Sequence, residues 1–275
     1  MQKKIAVIND LSGYGRCSLT VAIPVLSAMG HQCCPIPTAI LSNHTEFPVY
    51  FFDDYTEKMT TYTDKWKELG LSFDAIATGF LGSEAQIGIV MEIVQKLKAE
   101  KTFVVVDPVM GDHGHAYETY TPEMCEQMKE LVCMADVVLP NVTECCILTD
   151  TPYREENWTR KELLNMAMML RLMGAKSVVI TGVREGSCYT NVVLEQGQYD
   201  AKFIRTRSSG GERPGTGDVF SSVVAGALSN GKSLPEAVSQ AAGFVKECIK
   251  VSDEEQIPHA NGVCFEKILG KLIKK

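Results

Sequence analysis

A chain of 275 residues, 45% hydrophobic and 22% charged, is long enough to bury one large α/β core and has the balance of an ordinary soluble fold. Its formal net charge of −7 argues against nucleic acid as a partner. The apolar run in the opening MQKKIAVIND is too short for a signal peptide, and no segment is long enough to span a bilayer, so a cytoplasmic protein without a membrane partner is expected.

The elements alternate from the start. KIAVIN (4–9) is a short apolar run expected as a buried strand, and RCSLTVAIPVLSAMG has helical spacing closed by Gly30. HQCCPIPTAI (31–40) reads as a strand whose two prolines suggest an edge or an irregularity. TEKMTTYTDKWKELG (56–70) is an amphipathic helix, FDAIATGF (73–80) a strand, SEAQIGIVMEIVQKLKAE a helix, and TFVVVDPVMG a strand running into a glycine-containing loop. Thr121 and Pro122 give the next helix an N-cap and a first-position proline. DVVLPN is a strand and TECCILTD a short helix. Thr159 and Glu162 form a capping box for the helix that follows, and SVVITG (177–182) is another strand.

The pattern then changes. SCYTNVVLEQ and YDAKFIRTR read as antiparallel strands around a glycine turn. TGDVFSSVVAGALSNG returns to helix, Ser233 and Glu236 make a second capping box, and CFEKILGKLIKK closes the chain as a final helix. The ten cysteines include no C-x-x-C, and Cys33-Cys34 and Cys145-Cys146 are adjacent pairs that suit one tetrahedral ion poorly. They read as reduced, small core residues.

Alternating strands and helices predict an α/β fold, a mostly parallel sheet covered on both faces with a late antiparallel segment, in a single domain over residues 1–275. Ligands of such sheets bind at the carboxyl ends of the strands. The loops there are NDLSGYG, LSNHTEF, TGFLGS, DPVMGDHGH, PNVTE, TGV and RPGTGD, and several place polar groups directly after an apolar run.

Two phosphate motifs fail. SGYGRCS has Gly13 and Gly15 but Ser18 where a dinucleotide fingerprint needs its third glycine, and no P-loop occurs. RPGTGDVFSS (213–222) is different. It puts two glycines, a hydroxyl and Asp218 at the entrance to an apolar helix, where free N–H groups favour an anion. Asp218 as a plain capping residue is the simpler alternative. Against it stand the glycine-rich SSGGERP upstream, and Asp107, Asp112 and Glu144 in two other strand-end loops, which could hold a divalent ion. A cradle for oxygens, a metal and a base are the parts phosphoryl transfer needs.

GTGD opening a late apolar helix resembles the ribokinase superfamily. NDLSGYGR, LSNHTEF, TGFLGS, DPVMGD and PNVTE, in that order over nearly the whole chain, resemble its pyridoxal kinase branch. DPVMGD and PNxTE are shared with hydroxymethylpyrimidine kinases, whereas NDLSGYGR lacks the SGGAG stretch of that branch. The resemblance implies a ribokinase-like three-layer α/β/α sandwich and ATP-dependent phosphorylation of the hydroxymethyl group of a B6 vitamer. It makes Asp218 the base, and Gly215, Thr216 and Gly217 the anion hole.

The resemblance places Ser12, Thr45, Glu46 and Phe80 on the pyridine substrate, with Phe80 where the family often has Tyr. Asp112, Asn141, Glu144 and Thr181 fall around the nucleotide, Asp107, Asp112 and Glu144 around Mg²⁺, and DHGHAYETY becomes a flap. His113 and His115 read as solvated loop residues rather than metal ligands. A monovalent cation such as K⁺ and a homodimer are further implications of the resemblance. The alternatives are a hydroxymethylpyrimidine kinase or another small-molecule kinase of the superfamily, and a catalytically silent protein that binds a B6 vitamer.

Overall fold

Every apolar strand in this sequence needs cover on both faces, and the computed structural model, which describes residues 1–273, supplies it with helices. The first half runs β1 (Lys4–Tyr14), α1 (Ser18–Ala28), β2 (Gln32–Asn43), β3 (Phe52–Asp54), α2 (Thr56–Glu68), β4 (Ala75–Thr78), α3 (Glu84–Leu97) and β5 (Phe103–Val106). A small hairpin of β6 (Gly111–Asp112) and β7 (His115–Ala116) precedes α4 (Pro122–Cys133), β8 (Val137–Val138), α5 (Val142–Leu148) and α6 (Arg160–Met173). Then come β9 (Ser177–Glu185), β10 (Cys188–Leu194), β11 (Lys202–Arg207), α7 (Thr216–Ser229) and α8 (Leu234–Glu254).

Nine strands form one sheet in the order β11-β10-β9-β8-β5-β4-β1-β2-β3. The pairs from β2 to β9 are parallel, and β3, β10 and β11 add antiparallel edges. Alternation along the strands builds two cores. Ile5 and Val7 face the layer of α1, α7 and α8, whereas Ala6 and Ile8 face that of α3, α4 and α6. The expected three-layer sandwich with a late antiparallel segment is therefore what forms.

The capping boxes at Thr159/Glu162 and Ser233/Glu236 form as expected, as does the Thr121 cap. Pro35 and Pro37 pair only with β1, because β3 joins β2 further on at Ala39–Leu41. Over its prolines β2 is thus an edge strand, which accounts for their tolerance. The final helix is corrected to a 3-10 segment, Glu266–Leu272, with Gly270, a poor helix former, inside it. The last two residues of that expectation lie outside the described residues. The cysteines are only partly core: five are buried, but Cys33, Cys34, Cys125 and Cys188 are half-buried and Cys133 is exposed.

Strand β1 has β2 on one side and β4 on the other, so consecutive connections leave it in opposite directions. Such a switch point opens a crevice at the carboxyl ends of the strands.

Candidate active site

A cavity of about 1000 Å³ lies at that end of the sheet. Its walls bring together Asp107, Asp112, Asn141, Glu144, Thr181 and the turn Gly215–Asp218, with Glu46 and Phe80. Segments that follow β2, β4, β5, β8 and β11, with Thr181 of β9, thus converge on one space, as the shared polarity of these loops suggested.

The turn before α7 explains its own sequence. Gly215 has φ +79°, and a Cβ there would be driven into the carbonyl oxygen of Arg16, so only glycine fits. Gly217 differs: a Cβ would meet nothing within 4 Å, and its bare backbone leaves room beside the helix N-terminus. Thr216 Oγ1 donates to the Arg213 carbonyl at 3.0 Å, which closes the turn.

Asp218 sits at the head of α7, against the N-terminus of α1. Ser18, the first residue of α1, has φ +52°, and its N–H donates to the Asp218 carboxylate. Asn9 Nδ2 donates to Asp218 Oδ1 at 3.1 Å. Burial, with the Asp10 charge adding to it, outweighs these donors and pushes Asp218 up to about 6. The sequence suggested an ordinary carboxyl; the structure gives a more basic one, still mostly ionised at pH 7.

Facing Asp218 are further carboxylates. Burial and the Asp218 charge raise Asp107, against a hydrogen bond from Ser221. Burial and the Asp107 charge likewise raise Glu144. Oxygen donors of this kind suit a hard divalent cation such as Mg²⁺. The ligand atoms of the expected set, Asp107, Asp112 and Glu144, however, do not all come within 4.8 Å of one another; among the described residues only those of Asp112, His113 and Glu212 do. Glu144 is also structural. Its Oε2 accepts from the Asn141 N–H at 2.7 Å and its Oε1 from the Met110 N–H at 3.2 Å, while Asn141 Oδ1 accepts from the Glu144 N–H.

The DHGHAYETY segment opens as the β6–β7 hairpin, turned by His113 and Gly114 at φ +50° and +83°. Asn141 Nδ2 donates to the Gly111 carbonyl and Thr143 Oγ1 accepts from the Gly114 N–H, which ties the hairpin to α5. Asp112, His113 and Glu212 form an exposed cluster at the rim, so His113 is paired rather than merely solvated. The SSGGERP segment lines the cavity but is tethered. Arg213 pairs with Asp253 and donates to the Ile257 carbonyl.

Two expected substrate contacts do not reach the cavity. Ser12 is fully buried and donates to Asp10 Oδ2 at 2.9 Å, because β1 runs five residues past its predicted end. Thr45 is exposed outside the lining, where buried His44 holds the loop by a hydrogen bond to the Ala260 carbonyl. Sequence reasoning missed Asn9, Asp10 and Ser18. Asn9–Asp10 follow the first apolar run directly, which was the only available signal.

The profile of the phosphomethylpyrimidine kinase family matches residues 22–264. A pyridoxine kinase of Bacillus subtilis is 28% identical, over 92% of this chain and 85% of its own. An assigned phosphomethylpyrimidine kinase of Bacteroides thetaiotaomicron, solved in a crystal form with pyridoxal, is 39% identical. It superposes with a TM-score of 0.93 over 99% of this chain and 96% of its own. The pyridoxal kinase of Lactobacillus plantarum gives 27% identity and a TM-score of 0.91, over 99% and 97%. No described helix is long and apolar enough to cross a membrane.

Proposed function

We propose that this chain, which belongs to the phosphomethylpyrimidine kinase family of the ribokinase-like superfamily, transfers the γ-phosphoryl of ATP to the 5-hydroxymethyl group of pyridoxal, pyridoxine or pyridoxamine. The observation that carries this reading is the position of Asp218, a basic carboxylate at a helix N-terminus inside a cavity large enough for both substrates. The pyridoxal in the crystal form of the 39%-identical relative supports the choice of acceptor.

Asp218 takes the hydroxymethyl proton as the oxygen–phosphorus bond forms; the bond from the γ-phosphorus to the bridging oxygen breaks and ADP leaves. The anion hole is the Gly215–Gly217 turn: the N–H groups of Gly215 and Gly217 serve the transferring oxygens, and the helix dipole favours the oxygens' charge. Thr216, whose N–H donates to the Arg213 carbonyl, shapes the turn between them. Phe80 stacks on the pyridine ring, with Glu46 at its edge. Asn141 and Thr181 line the nucleotide side, and Asp107, Asp112 and Glu144 are the residues that would hold Mg²⁺, which when bound offsets the charge of the triphosphate.

A hydroxymethylpyrimidine/phosphomethylpyrimidine kinase of Aquifex aeolicus, 32% identical over 62% of this chain and 66% of its own, keeps hydroxymethylpyrimidine as a second acceptor. Product analysis with ATP, Mg²⁺, the three vitamers and hydroxymethylpyrimidine decides between them. A 5′-phosphate from a vitamer is expected; phosphorylation of the pyrimidine alone overturns the B6 reading, and binding without product marks a silent vitamer carrier.

A further inference from the structure

Asn9 ends the apolar part of β1 at the switch point and is 5% exposed. A buried amide needs partners for both its ends. Here the partners dictate which end points where. Oδ1 accepts from two main-chain donors, the Asp10 N–H at 3.0 Å and the Phe80 N–H at 2.9 Å. A flipped amide would set its NH₂ group against both donors, so Nδ2 must face the other way. That way lies Asp218 Oδ1, at 3.1 Å.

The surroundings are shaped for this amide. A Cβ on Gly79 would collide with the Asn9 side chain, so the glycine after β4 lets the two strand ends close around it. The β1–β2 register shifts between Asn9 and Leu11, which turns the chain out of the regular ladder directly after Asn9. The donor is also neutral. A lysine or arginine there would hold Asp218 but cancel the charge a base needs, whereas an amide fixes its direction and leaves the charge.

Resting on the reading of Asp218 as base, we propose that Asn9 is a positioning residue for phosphoryl transfer. Its amide is pinned by the Asp10 and Phe80 N–H groups, and it holds one oxygen of Asp218 so that the other meets the acceptor hydroxyl. The same side chain binds the backbone of Phe80, so it also sets the spacing between the aromatic wall and the base.

Asn9→Asp tests this with little change of shape, since it keeps the acceptor for both N–H groups while putting a carboxylate oxygen where the donor toward Asp218 stood. Asn9→Ala, which removes the donor without adding charge, is carried beside it and must lose kcat as well. Kinetics are measured with whichever acceptor the wild type phosphorylates, vitamer or pyrimidine, so a wrong substrate does not hide the result. A fall in kcat of at least tenfold is expected, with KM for ATP within twofold. Asn9→Asp added to Asp218→Asn should slow that variant by less than twofold, because a residue acting through Asp218 has nothing left to position. A kcat within threefold of wild type, or equal losses in both backgrounds, overturns the proposal. If Asn9→Asp does not fold, Asn9→Ala alone is carried through the same cycle. A crystal structure of the wild type is independent of both variants and of the acceptor: an Asn9 amide beyond 4 Å from Asp218 overturns the proposal, and one within 3.3 Å, Oδ1 toward Phe80, supports it.

Discussion

At the scale of single residues, two carboxylates near the switch point have different surroundings. Asp218 reaches the cavity, whereas Asp10, only a strand end away, is buried with Ser12 and Ser18 hydroxyls donating to it. Asp218→Asn keeps the shape and loses the proton acceptor. Its kcat is expected to fall by about 10²–10⁴-fold with ATP binding kept; a kcat within threefold of wild type contradicts the assignment. Ser12→Ala is expected to behave in the opposite way. Removing one donor to a buried carboxylate costs about 1–3 kcal/mol. The melting temperature therefore falls while KM for ATP and for the acceptor stay put. A selective rise in the acceptor KM would return Ser12 to the substrate. That the Gly215–Asp218 turn faces the cavity was legible because glycines and a hydroxyl before a carboxylate have few uses at a helix start. Ser12 was misread because the sequence ends its apolar run at Asn9. What carries β1 onward is pairing, Ser12 with Leu41 and Tyr14 with Asn43, and the amino-acid sequence of one strand does not reveal its partner.

At the scale of elements, legibility followed length and end chemistry. The long helices were readable from period and caps, and the Thr159/Glu162 and Ser233/Glu236 boxes form as written. The β6–β7 hairpin and β3 were not, since two- or three-residue strands have no periodicity to read. A third box, Asn141 with Glu144, went unrecognised because the same two residues stood out as ligands. In this box Glu144 both caps α5 and holds the Met110 N–H that sets the start of the hairpin. Glu144→Gln turns an NH₂ group toward one of those two N–H donors. A loss of about 1–3 kcal/mol in stability is expected for the unsatisfied donor, read as a lower melting temperature. If the carboxylate also serves Mg²⁺, the half-saturating Mg²⁺ concentration rises in the same variant. A lower melting temperature with unchanged Mg²⁺ dependence confines Glu144 to the cap, and no change in either contradicts both roles.

At the scale of the whole molecule, the two ends of the sheet carry opposite duties. The carboxyl ends gather carboxylates that repel one another around the cavity. The amino ends hold carboxylates that are fully paired. Asp136, entering β8, accepts from the Val104 N–H of β5 at 2.8 Å, from Lys98 after α3 at 3.1 Å, and from Lys176 before β9 at 2.6 Å. One side chain thereby clamps three neighbouring parallel strands, far from the cavity lining. Burial alone would raise its carboxyl, but Lys176, the Val104 N–H and Lys98 outweigh burial and hold it below the ordinary aspartate range. A group depressed on folding stabilises the fold above its unfolded value, about 4, and loses that contribution as pH falls through its folded value. Asp136→Asn should therefore lower the melting temperature at pH 7. Hydrogen bonds to a charged group are worth about 1.5–3 kcal/mol, so the change is large enough to read. The gap between variant and wild type should close steadily as the buffer is taken below pH 4 and on through the depressed folded value of the wild-type carboxyl, where that carboxyl is itself protonated. At temperatures where both are folded, kcat should match, because the clamp touches no residue of the cavity. A stability gap that persists unchanged to pH 2.5 would show that the asparagine disturbs packing rather than the ion pairs. A kcat that falls with the clamp intact would mean that the amino ends of β5, β8 and β9 govern the geometry at their carboxyl ends.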